Sequence, residues 1–259
     1  MSEKYLYIDS RNRQQGQFGN SYSVWMSDTL RMIKSVEIVC ARIPNTMYNV
    51  SNGSNVFQID NTPINLSPGF YSASSLVNDL SLQSNLTSIG FTTSYLQSEG
   101  KLIFSNTSAF SIVTNNGQLL GLPTNSTITS VLGTSANVMY NSSYIGKYFV
   151  KSSNVIDLTT TDFIFLDIEQ LRDSSMLDSS SINGSGGNVR RSFGPIPLNV
   201  VSGGVKTFTE NTDYKLGIEF TPPLASLERL NLVWRNSYGQ IVNFNGFEDN
   251  SILLRFKCL

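Results

Sequence analysis

Short runs in which apolar and polar residues alternate, each closed by a turn signal, recur along nearly the whole chain, whereas helical periodicity appears only once. Alternation with a period of two puts every second side chain on one face of a strand, so a chain written this way folds as sheets buried on one face. In 21–26, Tyr22, Val24 and Met26 fall on one side and Trp25 on the other. The run 33–43 is rich in β-branched residues, with Val36, Ile38 and Cys40 on one face and Glu37, Val39 and Ala41 on the other. Pro44 then brings no N–H and ends the ladder. Further runs lie at 5–8, 196–201, 205–208, 214–220, 240–244 and 251–256. The run 162–168 is apolar on both faces, as a central strand is, and 229–235 turns Leu230, Leu232 and Trp234 inward. Thr221-Pro222-Pro223 forces a corner, and Asn236-Ser237-Tyr238-Gly239 makes a hairpin. About eight to ten strands outside the middle of the chain is the number expected of a jelly roll or Greek-key sandwich.

Charge divides the chain more sharply than any linker. Residues 43–146 hold only Asp60, Asp79, Glu99 and Lys101 of the 37 charged side chains. The charge-poor block reads as an inserted domain, with 1–42 and 147–259 forming one discontinuous body around it. Inside the block a strand at 55–60 leads to the turn Ser67-Pro68-Gly69 and then to the single helix. Ser72 caps that helix, and Leu76, Val77, Leu80 and Gln83 share one face. Strands at 91–97 and 101–105 follow, joined by Ser98-Glu99-Gly100 with a positive φ expected at the glycine, and 110–114 and 118–122 complete the set. The second flank reopens with 147–150 and 154–158. The fold class expected is all-β, a sandwich with a small, β-rich insertion carrying one helix.

Histidine is absent, which removes the commonest general base, the commonest zinc ligand and every Ser-His or Cys-His nucleophile pair. Cys40 and Cys258 form no C-x-x-C motif and read as core or packing thiols, with a pairing open only if they meet in space. The best candidates for an acid–base pair are Asp167 with Glu169 and Glu248 with Asp249, neither placed across a cleft by its spacing. The Gly-rich run 184–187 lacks the Lys-Ser/Thr of a phosphate loop and belongs to a long Ser/Gly loop, 172–192; no D-x-D-x-D-G run offers a calcium site. No catalytic, cofactor or metal residue is therefore assigned. The net charge of −1 pulls the chain onto no nucleic acid. Arg11, Arg13, Arg31, Lys34, Arg42 and the Arg190-Arg191 pair stand among Glu3, Asp9, Asp28 and Glu37, as on solvated strand faces and subunit contacts. No apolar leader opens the sequence and no apolar run approaches the length of a membrane span, so neither a signal peptide nor membrane insertion is expected. Only 14% of residues are charged, 11% are aromatic and about a quarter are Ser or Asn. That mixture suits surfaces that pack against neighbours.

Three segments carry a family resemblance. The first is Tyr7-Ile8-Asp9-Ser10-Arg11-Asn12-Arg13 with Tyr22-Ser23-Val24, and the second is Ile33–Ile38 of the sequence running into Ala41-Arg42-Ile43-Pro44-Asn45-Thr46-Met47-Tyr48-Asn49-Val50. The third is Leu230-Asn231-Leu232-Val233-Trp234-Arg235-Asn236-Ser237-Tyr238-Gly239, then Phe244-Asn245-Gly246 and Ile252-Leu253-Leu254. Together they resemble the minor capsid, or penton, proteins of virophages, Polinton-like viruses and nucleocytoplasmic large DNA viruses. The resemblance implies a single jelly roll that forms a homopentamer at icosahedral fivefold vertices, beside trimers of a double jelly-roll major capsid protein, with an insertion projecting outward. It implies a virion protein made in the host cytoplasm. Asp9, Arg11, Arg13, Arg42, Pro44 and Asn45 are the candidate subunit-interface or strand-corner residues. An alternative stays open, since jelly rolls also serve lectins: a glycan- or receptor-binding module acting through the insertion, with Tyr71, Tyr95 and Tyr140 stacking on sugar rings.

Overall fold

The computed structural model describes residues 2–51, 55–83, 86, 90–138, 142–158, 161–172, 189, 192–247 and 249–259. Tyr140, Glu248, Arg190, Arg191 and nearly all of the Ser/Gly stretch 172–192 lie outside them. Contacts divide the chain into two units, Met1–Met47 with Thr161–Leu259, and Tyr48–Thr160. The first unit opens with strands β1 (Ser2–Asp9), β2 (Gln15–Phe18) and β3 (Ser21–Pro44). The second holds β4 (Val56–Ile59), β5 (Thr62–Asn65), helix α1 (Ala73–Leu82), β6 (Thr92–Leu96) and β7 (Lys101–Asn106). It continues with β8 (Ser111–Thr114), β9 (Ser126–Thr129), β10 (Val131–Leu132) and β11 (Tyr148–Lys151). The chain then returns to the first unit with β12 (Phe163–Ile168), β13 (Phe193–Pro197), β14 (Val205–Thr209), β15 (Leu216–Asn236) and β16 (Ser251–Cys258).

Two long strands build the first unit. The runs 21–26 and 33–43 are parts of one 24-residue strand, β3, and 214–220 and 229–235 belong to one 21-residue strand, β15. The C-terminal half of β3 lies between β16 on one side and β14 with the start of β15 on the other; β1 adds outside β16. The N-terminal half of β3 lies between β2 and the second half of β15, which β12 and then β13 extend. All pairings are antiparallel. β3 and β15 thus serve two sheets, sheet one (β1-β16-β3-β14/β15) and sheet two (β2-β3-β15-β12-β13). They bend together where Ile33 faces Leu224, beside register shifts at Glu219/Leu224 and Leu227/Arg229. Thr221-Pro222-Pro223 makes that corner inside β15 without ending it, since prolines are tolerated where the ladder is already interrupted. The inner faces close on one core that includes Val36, Ile38, Phe208, Leu230, Leu232, Trp234, Phe244 and Phe256. This is the jelly-roll-like sandwich expected.

Simple alternation fails at one place in β3. Its register to β16 skips from Cys40↔Leu253 to Ile38↔Leu254, leaving Val39 as the extra residue of a β-bulge. One inserted residue inverts the phase, so Ala41 and Ile43 join Val36 and Ile38 in the core and Cys40 turns half outward. The expected face of Ala41 is corrected accordingly. Cys40 faces Leu253 while Cys258 faces Ile33, about 17 Å apart along β16 at the usual strand rise, and both thiols are free.

The second unit contains two four-stranded sheets, β10-β11-β7-β6 and β5-β4-β8-β9. Its helix starts at Ser72, whose hydroxyl accepts the Ser75 N–H while the Ser75 hydroxyl accepts the Ser72 N–H, a reciprocal capping box. Leu76 and Leu80 bury its inner face in a core with Phe57, Phe91, Phe104 and Phe110. Gly100 takes the expected positive φ of 69°. Several expectations are corrected. Of the run 196–201 only Ile196 and Pro197 lie in a strand, the end of β13, and 198–201 are loop. The stretch 118–122 is a 3-10 turn, Gln118–Leu120, closed by left-handed Gly121; 154–158 and 240–244 form no strand, apart from an isolated bridge between Ile241 and Arg235. The unit boundaries fall after Met47 and Thr160 rather than after 42 and 146. At the first boundary, Ile43 and Pro44 still pair with β14; at the second, β11 pairs with β7 and β10.

Candidate assembly surface

The end of β1 sets the geometry of a polar surface on the first unit. β1 delivers Asp9 to the start of a single 3-10 turn, Ser10–Asn12, where its carboxylate accepts the Arg11 N–H at 2.9 Å. The Arg11 guanidinium returns to the same carboxylate, with Nε donating at 2.9 Å and Nη2 at 2.6 Å. Asp9 is 7% exposed and Arg11 66%. The bond from Arg11 holds the Asp9 carboxyl down at about 2, against the burial that pushes it up. Tyr7, two residues back on the same face of β1, donates its hydroxyl to Asp9 at 3.5 Å.

Across the sheet, Asp9 pairs with Ser251, and Ser251 with Arg42. The result is an open cleft of about 170 Å³ lined by Tyr7, Asp9, Arg11, Arg42, Phe247 and Asp249, among others. Arg42 is exposed, and no carboxylate among the described residues pairs with it. Asp249 of the same cleft likewise has no ion pair among the described residues, whereas farther along the sheet Arg255 sits between Glu37 and Glu210, and Lys257 donates to Glu37 at 3.1 Å. Burial raises the Glu37 carboxyl, but the bonds from Arg255 and Lys257 outweigh it and hold it below its ordinary range.

Three of the six candidates from the sequence, Asp9, Arg11 and Arg42, therefore meet in one cleft. The other three act within their own chain. Arg13 donates to the carbonyls of Ser10, Gly16 and Gln17, clamping the turn before β2. Pro44 is the buried last residue of β3. Asn45, 2% exposed, fastens loop 198–204: its Nδ2 donates to Val200 O at 2.8 Å and its N–H to Gly204 O at 2.9 Å. Tyr71 and Tyr95 are half-buried and pack against the core of the second unit. Tyr71 also donates to Ser67 O at 2.9 Å and to Asp79 at 3.3 Å, so neither ring is the open stacking surface expected. Tyr140 lies outside the described residues.

Sequence reasoning missed Tyr7, Phe247 and Asn250. Tyr7 and Phe247 are 61% and 55% exposed, and their signal was available: an aromatic ring on the polar-facing side of an alternating strand, and another after an Asn-Gly turn. Asn250 lies behind the cleft as a buried hub, its Oδ1 accepting from the Tyr22 hydroxyl at 2.9 Å and Trp234 Nε1 at 3.2 Å. Its Nδ2 donates to Gly19 O at 2.7 Å. The carboxylates considered for catalysis have separate partners. Asp167 accepts from Arg172 and Arg235, and Glu169 from Asn231. Among the described residues no three Cys, Asp or Glu side chains gather as metal ligands, and no helix is long and apolar enough to cross a membrane.

These features define a jelly-roll-like sandwich with a second β-rich unit interpolated in its sequence and a polar, aromatic-walled cleft at one end of a sheet. The chain belongs to the Family of unknown function (DUF5901), whose profile matches residues 2–202. Among solved structures it is similar to the mavirus penton protein, with a TM-score of 0.51, 9% identity and full coverage of both chains. A chain of the Sputnik virophage cryo-EM structure aligns with a TM-score of 0.49 and 11% identity, covering 99% of this chain and 98% of that one. No protein of curated function matches the sequence. At 9% identity the mavirus likeness is one of fold, over the full length of both chains.

Proposed function

We propose that this protein is a structural component of a DNA-virus capsid that closes the fivefold vertices as a homopentamer. In this reading the jelly roll contacts its own copies and the surrounding trimers of a double jelly-roll major capsid protein, and the second unit is carried on the outside of the particle. The protein acts by fitting its neighbours, with no catalytic step. The observation that supports this most is the likeness in fold to the mavirus penton protein, which covers both chains from end to end. The exposed rings and guanidinium groups of the cleft are residue types that interfaces favour.

Native mass spectrometry of the purified chain, alone and with its cognate major capsid protein, tests the reading. A species five times the 28.6 kDa chain mass is expected. A chain that stays monomeric in both conditions would refute it.

A further inference from the structure

A cyclic ring needs two unlike surfaces on each copy, because one side of a subunit meets the opposite side of the next. The sandwich carries a complementary pair of this kind. β3 and β15 bend together at one end of the first unit; at the other, open end stand the rung Asp9–Ser251–Arg42 of sheet one and the rungs Ile164–Asn236 and Phe163–Pro197 of sheet two. On sheet one Ala41 and Ile43 point into the core, so Arg42 between them points outward into the cleft. On sheet two Ile164 points into the core, so Phe163 beside it points outward, and it is 43% exposed. Asp162 precedes it, exposed, with its carbonyl held by the Leu198 N–H at 2.8 Å and no cation paired with its carboxylate among the described residues. A cation without an ion pair, in a cleft also lined by two exposed rings and by Asp249, and an unpaired anion beside a third ring therefore lie on opposite outer faces of the sandwich at the same end. A ring axis running along the strands would bring such surfaces together at one height.

We propose that the Arg42 cleft of one copy receives Asp162 and Phe163 of the next, the carboxylate on the guanidinium and the phenyl ring between Tyr7 and Phe247. This inference rests on the pentameric reading above and names the contact that would close the ring. A charge-swap cycle tests it: Arg42→Asp, Asp162→Arg and the double variant, with assembly followed by native mass spectrometry across a dilution series. Each single reversal is expected to raise the half-assembly concentration by about tenfold or more, and the double variant to recover most of that loss. Singles that assemble like the wild type, or a double that recovers nothing, would overturn the pairing. A wild-type ring indifferent to all three variants refutes the contact while leaving the pentamer standing; a wild-type chain that never assembles refutes both. Circular dichroism checks that each variant folds. Should a reversal unfold, Arg42→Gln and Asp162→Asn replace it, each expected to weaken assembly and flatten its salt dependence, and unchanged assembly in both would again overturn the inference.

Discussion

Asp9 and Asn250 show two different ways in which a polar side chain holds one end of this sandwich. Asp9 is a charge fixed by a neighbour two residues away; both residues stood out in the sequence as strand-end candidates, but their bond to each other did not. The Asp9 carboxyl titrates at about 2, below the value of roughly 4 expected in the unfolded chain. A depressed acid stabilises the fold fully above its unfolded value and loses that contribution as pH falls from there through the folded one. Arg11 is largely solvated, which screens the pair, so Asp9→Asn is expected to cost about 1 kcal/mol at neutral pH. Urea titrations should show the two proteins converging as pH drops to about 2; a gap unchanged by acid would contradict the assignment. Asn250 is the opposite case. Its partners Gly19, Tyr22 and Trp234 come from distant parts of the chain, and a lone Asn before a strand carries no local sign of them. Asn250→Ala takes the acceptor away from a buried hydroxyl and a buried indole N–H and removes one donor to the Gly19 carbonyl, and is expected to cost about 3 kcal/mol or more. A loss under about 1 kcal/mol in the same titration would mean that water replaces the amide.

At the scale of elements, alternation in β3 identified a strand, and the inward set Tyr22 and Val24 was readable because nothing interrupts the period there. The face of Ala41 was not readable. The residue that inverts the phase, Val39, is made extra by its pairing with β16 more than 200 positions away, and its own side chain suits either arrangement. For the same reason two apparent strands were one: the bend at Ile33 and Leu224 keeps the ladder while interrupting the pattern. In the second unit β5 and β9 escaped notice because Pro63 and the Ser/Thr content of 126–129 blur the period, whereas Ser72 announced its helix by capping chemistry. The bulge yields a contrast between near neighbours. Ile43→Ala should cost about 3 kcal/mol, since it empties a fully buried position, whereas Cys40→Ser should stay within about 0.5 kcal/mol. Equal losses measured by chemical denaturation would show that Val39 does not shift the phase.

At the scale of the molecule, a fall in charge says which residues need little solvation, but which residues pack together is decided by pairing. The boundaries at Met47 and Thr160 follow the ladders of β3 and β11, which cross the charge step. Each unit encloses its own apolar cluster, so each carries its own main driving force for folding. The two junctions of the first unit are also tied to the same loop. Asn45 bonds Val200, Gly203 and Gly204, and the Asp162 carbonyl accepts the Leu198 N–H. Residues 47 and 161 are therefore held near one another by the sandwich itself, and a short Gly/Ser linker can replace 48–160. The excised chain is expected to unfold in one cooperative transition with Trp234 still buried. The readout is selective because both tryptophans of the sequence, Trp25 and Trp234, belong to the first unit. Tryptophan emission at the blue-shifted position of the full-length protein, lost sigmoidally in urea, would establish that the jelly roll folds without its passenger. Red-shifted emission and no transition would mean that the second unit is required to complete the first.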